Sequence, residues 1–475
     1  MMTTHPLRLA TLATATVLLG ACTLAPVYQR PASPVGDSWP APAVAATGDA
    51  TTPDWQQFIA DDRLRQLVAL ALANNRDLRV AALNIEKARA AYRIQGAELL
   101  PAIGVAGSNS NSRVSADLSS TGSSYVTRSV SANVGVSAWE LDLFGRLRSL
   151  NRQALESYLA TVETRRATQT SLISETASAW LTLGADQEQL KLARDTLQAR
   201  QEAYDLIARK AELGVSSQLE LAQARTTVET ARADAASYTS QVARDRNALV
   251  LLVGQDIPAG LLPAALPEQV STLRELPAGL PSTVLQQRPD ILAAEHRLKG
   301  ANANIGAARA AFFPSITLTG SVGSASDQLS GLFESGTQVW AFAPQVNLPI
   351  FSGGRLLAGL KSAKVEREIA TAQYEKAIQT AFREVADALA DHATLDTQLQ
   401  ARGDLVQASA DSFRLSQARF DKGADSYLAL LDAQRSLYAA QQSLISTRLA
   451  RENNLITLYK VLGGGADTPE PSATR

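Results

Sequence analysis

Residues 214–252 read GVSSQLELAQARTTVETARADAASYTSQVARDRNALVLL, and they already predict a long helical hairpin. The stretch opens on a turn, because glycine can end one helix and serine can cap the next. After the turn, nine of ten positions spaced alternately by three and four residues are apolar or aromatic, which predicts a coiled-coil seam. Asp245 is the polar member of this set, which is Leu221, Ala224, Val228, Ala231, Ala235, Tyr238, Val242, Asp245, Leu249 and Leu252.

The residues before this turn are helical in pattern over a great length. Residues 146–213 and residues 360–422 contain no proline and one glycine each. A helix from Phe144 to Leu213 would be about 105 Å long at roughly 1.5 Å per residue, which exceeds the span of a globular domain. The second run turns at 423–426 and returns with the same seam spacing, at Leu430, Ala433, Leu437, Ala440 and Leu444.

Four short stretches alternate apolar and polar residues, which predicts strands with one apolar face. They lie at 315–323 and 340–350, at 126–136, and in a weaker form from Ile103. Each half of the chain therefore carries one hairpin. Glycine, serine and asparagine are frequent in the predicted loops, which are Gly107–Ser124 and Gly323–Gly336. In a membrane barrel, the apolar face of the last strand would face lipid or the interfacial belt; its residues are Trp340, Phe342, Val346, Leu348 and Ile350.

The chain contains two copies of one plan. Asn75-Arg76-Asp77-Leu78 recurs as Arg288-Pro289-Asp290-Ile291, and Leu252-Val253-Gly254 recurs as Val461-Leu462-Gly463. Pro-rich segments precede and separate the copies. The predicted organisation is a signal peptide over 1–21, an extended arm over 22–61, a first repeat over 62–260, a linker over 261–281, a second repeat over 282–463 and a disordered tail over 464–475.

The single cysteine, Cys22, follows a weakly basic start and a short apolar run. That run is shorter than the roughly 20 apolar residues of a membrane-spanning helix, and small residues precede the cysteine, which is typical of an export signal. Leu19-Gly20-Ala21-Cys22 resembles the bacterial lipobox, which implies cleavage before Cys22 and a covalent lipid on its sulfur. By the lipoprotein sorting rule, Thr23 favours the outer membrane. The alternative is a signal peptide with an incidental cysteine.

Charge and motif content argue against nucleic-acid binding and against catalysis. The net charge is -1, and no segment concentrates the basic residues. The sequence has no phosphate loop, zinc signature or nucleophile elbow, so we expect neither an enzyme nor a cofactor apart from the lipid. His296 and His392 lie among charged neighbours and are interpreted as ordinary solvated residues.

The predicted strands have open edges that a single chain cannot close. Exposed strand edges are not tolerated in lipid, so a membrane role requires several chains to pool their strands into a barrel. Strands of about 9 to 11 residues cross a bilayer when tilted, and the four candidates have about this length. The alternative is a soluble sheet packed beside helices.

Four motifs resemble those of the TolC and OprM type of outer-membrane efflux proteins, most closely the lipid-anchored branch. They are CTLAPVYQRP at 22–31, WELDLFGR at 139–146, RPDI at 288–291 followed by Ala294-Glu295, and IGAARAAFFPSI at 305–316. The resemblance extends over nearly the whole chain. It implies a mainly α fold with a β-barrel portion: four transmembrane strands per chain in two tandem repeats, closed as a trimer into a twelve-stranded barrel above a coiled-coil helical tunnel.

The resemblance also implies a function and partners. The homotrimer would lie in the cell outer membrane, lipid-anchored and extending into the periplasm. It would serve as the exit duct of a tripartite pump, with a periplasmic adaptor protein, an inner-membrane pump and outer-membrane lipid as partners. The cargo would be drugs or other small toxic compounds. The alternatives are a periplasmic coiled-coil lipoprotein that acts as a scaffold, and the exit duct of a type I secretion system.

By position, Glu220 and Asp432 align with acidic residues at the family's periplasmic gate. The match is partial, because Phe420, Asp425 and Ala429 stand where the best-known members carry a tyrosine, an arginine and an aspartate. The predicted gate therefore comprises Asp432, Glu220, Asp425 and Phe420. The alternative is that the acids are solvated near a helix start, where the helix dipole favours negative charge. The predicted adaptor-contacting tips are Gly214, Val215, Ser216, Gly423, Ala424 and Ser426.

Overall fold

The computed structural model describes residues 23–36, 39, 54–267 and 282–464. Cys22, the predicted signal peptide and residues 465–475 of the predicted tail lie outside the described residues. The described chain is mostly helical and contains one four-stranded sheet. Its elements are α1 (Trp55–Phe58), α2 (Asp62–Asn74), α3 (Arg76–Ala97), β1 (Ile103–Val114), β2 (Tyr125–Leu141), α4 (Arg146–Glu212), α5 (Gln218–Val253), α6 (Pro289–Ala310), β3 (Ser315–Ser326), β4 (Gln338–Asn347), α7 (Arg355–Asp421) and α8 (Tyr427–Val461).

One series of elements occurs twice along the chain. The order helix, strand, strand, long helix, helix holds from α3 to α5 and again from α6 to α8. The first helices both have 22 residues, the long helices both have 67, and the last helices have 36 and 35. The long helices are unbroken, as the absence of proline predicts. None of the described helices is both long enough and apolar enough to cross a membrane.

The two predicted hairpins join into one antiparallel sheet in the order β1-β2-β3-β4. The strands are longer than predicted, because β1 continues to Val114 and β3 to Ser326. The predicted loops Gly107–Ser124 and Gly323–Gly336 were therefore too long. Composition did not distinguish loop from strand, because small residues also occur in strands that lie very close to a neighbouring strand. At Gly323, for example, a Cβ would lie 2.1 Å from the carbonyl oxygen of Ala132.

The last strand ends earlier than predicted. Asn347 of β4 pairs with Ser315, which is the first residue of β3, so residues beyond Asn347 have no partner in the sheet. Leu348 and Ile350, predicted as strand residues, therefore follow the strand as exposed side chains. A second irregularity lies in β2, where a bulge shifts the register between Val136 and Trp139.

The described chain divides into two compact units, each built from separate segments. The first unit contains residues 23–32, Asn84–Val162 and Ala293–Tyr374, and it includes the sheet. The second contains Ser33–Leu83, Glu163–Leu292 and residues from Glu375 onward. The second unit has its own hydrophobic core, with large buried side chains that include Phe58, Leu67, Ile173, Trp180, Leu249 and Tyr459.

In the second unit, each repeat closes on itself through equivalent contacts. Asn75 Nδ2 donates to the carbonyl of Leu252, near the end of α5, at 2.8 Å. In the second repeat, Arg288 Nη1 donates to the carbonyl of Val461, at the end of α8, also at 2.8 Å. These are the positions at which the sequence repeats itself. In both repeats, the residue directly before the 22-residue helix therefore bonds to the end of the last helix.

Candidate functional site

The sheet has one apolar face and one face of small and polar residues. Residues paired across strands lie on the same face, and Val105, Val134, Val322 and Trp340 form one apolar row across all four strands. On β4, the side chains of Trp340, Phe342 and Val346 are 79%, 63% and 64% exposed. The other face carries Gly104, Gly135, Ser321 and Ala341 in a neighbouring row. Strands with one apolar face suit a barrel wall between lipid and water.

The junction between β2 and α4 is held by ion pairs. Arg146 Nη2 lies 2.7 Å from Glu140 Oε2, and hydrogen bonding to Glu140 raises the pKa of Arg146. Asp142 accepts hydrogen bonds from the backbone N–H groups of Leu147 and Arg148, so it caps the start of the long helix. The motif at 139–146 thus fixes the direction in which α4 leaves the sheet.

The two predicted tips have the same backbone geometry. Gly214 and Gly423 both have φ of 71°, a left-handed conformation that glycine adopts without strain. The N–H of Val215 donates to the carbonyl of Lys210 at 2.8 Å, and that of Ala424 donates to Arg419 at 2.9 Å. These bonds satisfy the last carbonyls of α4 and α7 and form a Schellman motif at each tip.

The helices after the two tips begin differently. Ser217 and Glu220 form a capping box, in which the Ser217 side chain accepts from the backbone N–H of Glu220 and the Glu220 side chain accepts from the backbone N–H of Ser217. A hydrogen bond from Ser216 lowers the pKa of Glu220. Ser426 makes no equivalent side-chain bond. The second tip is instead tied by an ion pair between Arg419 Nε and Asp425 Oδ2 at 2.6 Å, which lowers the pKa of Asp425.

The structure separates the four predicted gate residues by their contacts. Glu220 and Asp425 bond to groups of their own tip, as described above. Phe420 packs against Tyr427, with ring centroids 5.7 Å apart, and Lys210 Nζ lies 5.6 Å from its ring centroid. The Asp432 side chain is 66% exposed, and its nearest cation, Arg435, lies 3.9 Å away. Among the three acids, Asp432 therefore has the most exposed carboxylate.

The two helical hairpins pack against each other near the tips. Ile207, Ala224, Tyr427 and Leu430, which come from α4, α5 and α8, form one buried cluster. Burial raises the pKa of Tyr427. Further along, Arg200 of α4 lies over the ring of Tyr438 of α8, at 5.4 Å. Through these contacts, α4, α5 and α8 pack into one layer, as expected of a wall of helices laid side by side.

The described start of the arm, residues 23–32, contacts one face of α6 through helix residues that are spaced by seven. Glu295 accepts hydrogen bonds from Arg30 and Tyr28 at 2.8 and 3.1 Å. Asn302 donates to the carbonyl of Pro26 at 2.7 Å, and Arg309 donates to that of Leu24 at 2.9 Å. Because arm numbers fall as helix numbers rise, the arm runs antiparallel to α6. The seven-residue spacing of Glu295, Asn302 and Arg309 is visible in the sequence and indicates a contact face on α6. The spacing does not identify the segment that packs there.

The contacts of Glu295 explain why the arm is held at this point. Burial by itself raises the pKa of Glu295, but hydrogen bonds from Arg30 and the charge of Lys299 outweigh burial and lower it. Burial and the neighbouring Glu295 raise the pKa of Tyr28. The carboxylate thus stays charged, and the phenol stays protonated as a donor.

The interpretation of His296 as a solvated residue was wrong. Its Nδ1 lies 2.7 Å from Glu156 Oε2, and its side chain is 20% exposed. Burial by itself raises the pKa of Glu156, but hydrogen bonds from His296 and Arg152 outweigh burial and lower it. The charged neighbours in the sequence did not reveal this partner, because Glu156 is 140 residues away. No group of metal-ligating side chains occurs in the part of the chain that the structure describes.

Comparisons with known proteins agree with this architecture. The model of the family described as outer membrane efflux protein matches residues 67–255 and 280–464. The toluene efflux pump outer membrane protein TtgC of Pseudomonas putida is 51% identical over 462 residues, which cover 96% of this chain and 95% of that protein. The outer membrane protein OprJ of Pseudomonas aeruginosa is 44% identical, with 94% of each chain covered.

Solved structures are also similar. The open state of the MtrE outer membrane channel of Neisseria gonorrhoeae is 41% identical, with a TM-score of 0.84, covering 94% of this chain and 99% of that one. A membrane protein from Pseudomonas aeruginosa is 43% identical, with a TM-score of 0.88, covering 94% of this chain and 98% of that one. The predicted mainly helical fold with a sheet portion is confirmed.

Proposed function

This chain belongs to the outer membrane efflux protein family, and we propose that it is the outer-membrane channel of a tripartite efflux pump. It acts as a passive exit duct from the periplasm to the exterior. The relatives named as efflux pump outer membrane proteins support this role, and so does the channel named among the similar structures. The cargo is drugs or other small toxic compounds, as the name of the toluene efflux relative suggests.

The observation that carries the proposal is the incomplete sheet. It has four strands, one apolar face, and two edge strands, β1 and β4, that pair with no further strand in the described residues. An open sheet cannot lie in lipid, because its unpaired N–H and carbonyl groups would have no partners. Three copies that join β4 of one chain to β1 of the next remove every edge and form a barrel of twelve strands. A homotrimer is therefore the proposed functional unit.

The partners follow from the same proposal. An outer-membrane duct needs a route for compounds from the inner membrane, and we propose that a periplasmic adaptor protein and an inner-membrane pump supply it. The two tips, with their shared backbone geometry, are the proposed adaptor contacts. In a trimer, six such tips would offer the adaptor similar turns around one axis.

Deletion of the gene tests the proposed function. We expect the deletion strain to become more susceptible to a panel of antibiotics, dyes and solvents, and to accumulate a fluorescent efflux substrate. Complementation with the wild-type gene should restore both readouts. Unchanged susceptibility and dye retention, together with the loss of a secreted protein, would instead indicate a type I secretion duct.

A prediction concerns the proposed gate residue Asp432. Three copies of its exposed carboxylate around one axis would attract cations and repel one another. We expect Asp432→Ala to lower the cation preference of single channels by about twofold or more and to change the resting conductance. Asp432→Glu keeps the charge and should keep the selectivity. Wild-type selectivity and conductance in intact Asp432→Ala trimers would place the constriction elsewhere.

A second prediction concerns Cys22, which we propose carries the lipid anchor. The arm supports it: Leu24, two residues after Cys22, is held at Arg309 in the last turn of α6, and β3 begins six residues later at Ser315. The described start of the arm therefore lies near the first residue of β3, in the proposed barrel. Mass spectrometry of the mature N-terminus should show the lipid in the wild type and none in Cys22→Ser. The barrel strands should still hold the Cys22→Ser variant in the membrane. An unmodified Cys22 in membrane-extracted wild-type protein would contradict the proposal.

A further inference from the structure

The seam of α5 contains one carboxylate, Asp245, among apolar and aromatic residues. Its Oδ1 accepts a hydrogen bond from Gln241 Nε2 at 2.8 Å. Its Oδ2 is shielded from solvent and accepts no hydrogen bond from any donor in the described residues. A buried carboxylate oxygen that lacks a donor is unfavourable, so this atom requires a partner.

The group that faces Asp245 is a second carboxyl, that of Asp186 on α4, within hydrogen-bonding reach. Both acids are half-buried beside core residues, Ala185 and Leu249, so water screens them less than it screens surface charges. Two carboxylates at this separation repel each other when both are charged. A single proton between them replaces that repulsion with an O–H···O hydrogen bond.

We propose that Asp186 and Asp245 form a proton-binding site that fastens α4 to α5. One proton taken up from water binds the carboxylate of Asp186, and the resulting O–H donates to Oδ2 of Asp245. Release returns the proton to water, and no other bond in the protein forms or breaks. The shielded oxygen thereby gains the donor that it lacks, and the single polar position in the seam acquires a role.

No neighbouring cation takes the place of this proton between the two acids. On α5, the hydroxyl of Tyr238 accepts a hydrogen bond from Gln442 of α8, and no hydrogen bond joins it to either acid in the described residues. Hydrogen bonding from Gln241 offsets only part of the rise in the pKa of Asp186, and Arg244 donates to the side-chain oxygen of Gln241. Arg448 of α8 is engaged by Glu188, with Nη1 and Oε2 3.0 Å apart. Within the described residues, no lysine, arginine or histidine forms an ion pair with either member of the acid pair.

Burial and the neighbouring Asp245 raise the pKa of Asp186 from its usual 3.8 to about 7. The folded protein therefore binds this proton more tightly than the unfolded chain does. The stabilisation is fully present below about pH 3.8 and is lost as the pH rises through about 7. Acidification in the periplasmic range should thus tighten the α4–α5 hairpin, and mild alkalinisation should loosen it.

Hydrogen–deuterium exchange of the full-length protein in detergent tests this inference, with rates corrected for the intrinsic effect of pH. In the wild type, we expect exchange in residues 180–190 and 240–250 to become about tenfold faster between about pH 5 and pH 8. Asp245→Asn places an amide donor against Asp186 at every pH, so this dependence should disappear. Asp195→Asn, an exposed position on α4, should keep the wild-type dependence.

Infrared spectroscopy gives an independent readout that does not depend on hairpin stability. At about pH 6, the wild type should show the carbonyl band of a protonated carboxylic acid, and a folded Asp186→Asn variant should lack it. The same pH dependence of exchange in wild type and Asp245→Asn would overturn the proposal. A wild-type band that appears only below about pH 4.5, as for an ordinary aspartate, would also overturn it.

Discussion

Arginine in place of Phe342 is expected to abolish trimer assembly in the outer membrane. Phe342 lies on the apolar face of β4, 63% exposed in the single chain, in a row with Ile103, Val136 and Gly320. A charged side chain on the lipid face of a barrel costs about 2–4 kcal/mol near the bilayer midplane, and a trimer contains three copies. Gel migration of unheated, detergent-extracted protein should show loss of the trimer band.

Gln345→Arg is the matched control, because Gln345 lies on the same strand and the opposite face. A charge on the water-filled side of a barrel is tolerated, so this variant should assemble at close to the wild-type level. Equal loss of trimer in both variants would argue that the sheet is a soluble one, packed on both faces.

Arg288→Met is expected to destabilise the folded chain by about 1–3 kcal/mol, because it leaves the buried carbonyl of Val461 without its donor and removes the cation from two half-exposed carboxylates. Arg288 is 9% exposed. Its guanidinium bonds to Asp290 at 2.8 Å, to Glu384 at 2.9 Å and to the carbonyl of Val461 at 2.8 Å. Methionine would leave two carboxylates near each other without the cation and would release the end of α8. Thermal unfolding followed by circular dichroism should show a clearly lower midpoint.

Arg76→Met provides the comparison for Arg288. Arg76 is the first residue of α3 and directly follows Asn75, the residue that corresponds to Arg288 in the first repeat. Arg76 is exposed and donates to a single carbonyl, that of Asn74. Its loss should change the free energy of unfolding by no more than about 0.5 kcal/mol, as for most surface substitutions, and so leave the midpoint close to that of the wild type. A midpoint for Arg288→Met as high as that of Arg76→Met would contradict the assigned role of the Arg288 contacts.

Periodicity predicted the helices and hairpins because it is a local property of the chain. The seam of α5 and the absence of proline in α4 required no knowledge of distant contacts, and both helices have nearly the predicted bounds. Strand ends were harder to predict. A run of glycine, serine and asparagine suits a loop or the small-residue face of a strand equally, so only the pairing partner, β2, shows that β1 continues to Val114.

The site residues show the same difference between local motifs, which the sequence reveals, and contacts between distant residues, which it does not. The capping box of Ser217 and Glu220 is a local motif, Ser-x-x-Glu, and the sequence contained the signal for it. That motif gives Glu220 a structural role that its alignment with a gate position did not indicate. The arm contact was beyond local reasoning, since Arg30 and Glu295 are 265 residues apart. Seven-residue spacing on α6 shows a face with a partner but does not identify that partner.

Cysteine cross-linking between chains tests most directly the claim that three copies of the sheet close one barrel. Pairs would place one cysteine in β1, at Ser108, and one in β4, at Ala341, Ala343 or Gln345, to sample the register between neighbours. Cys22 is the only natural cysteine, so the background is low. If three sheets close one barrel, oxidation of membranes should produce covalent dimers and trimers in at least one register. Membrane-inserted protein that forms no intermolecular cross-link with any pair would contradict it.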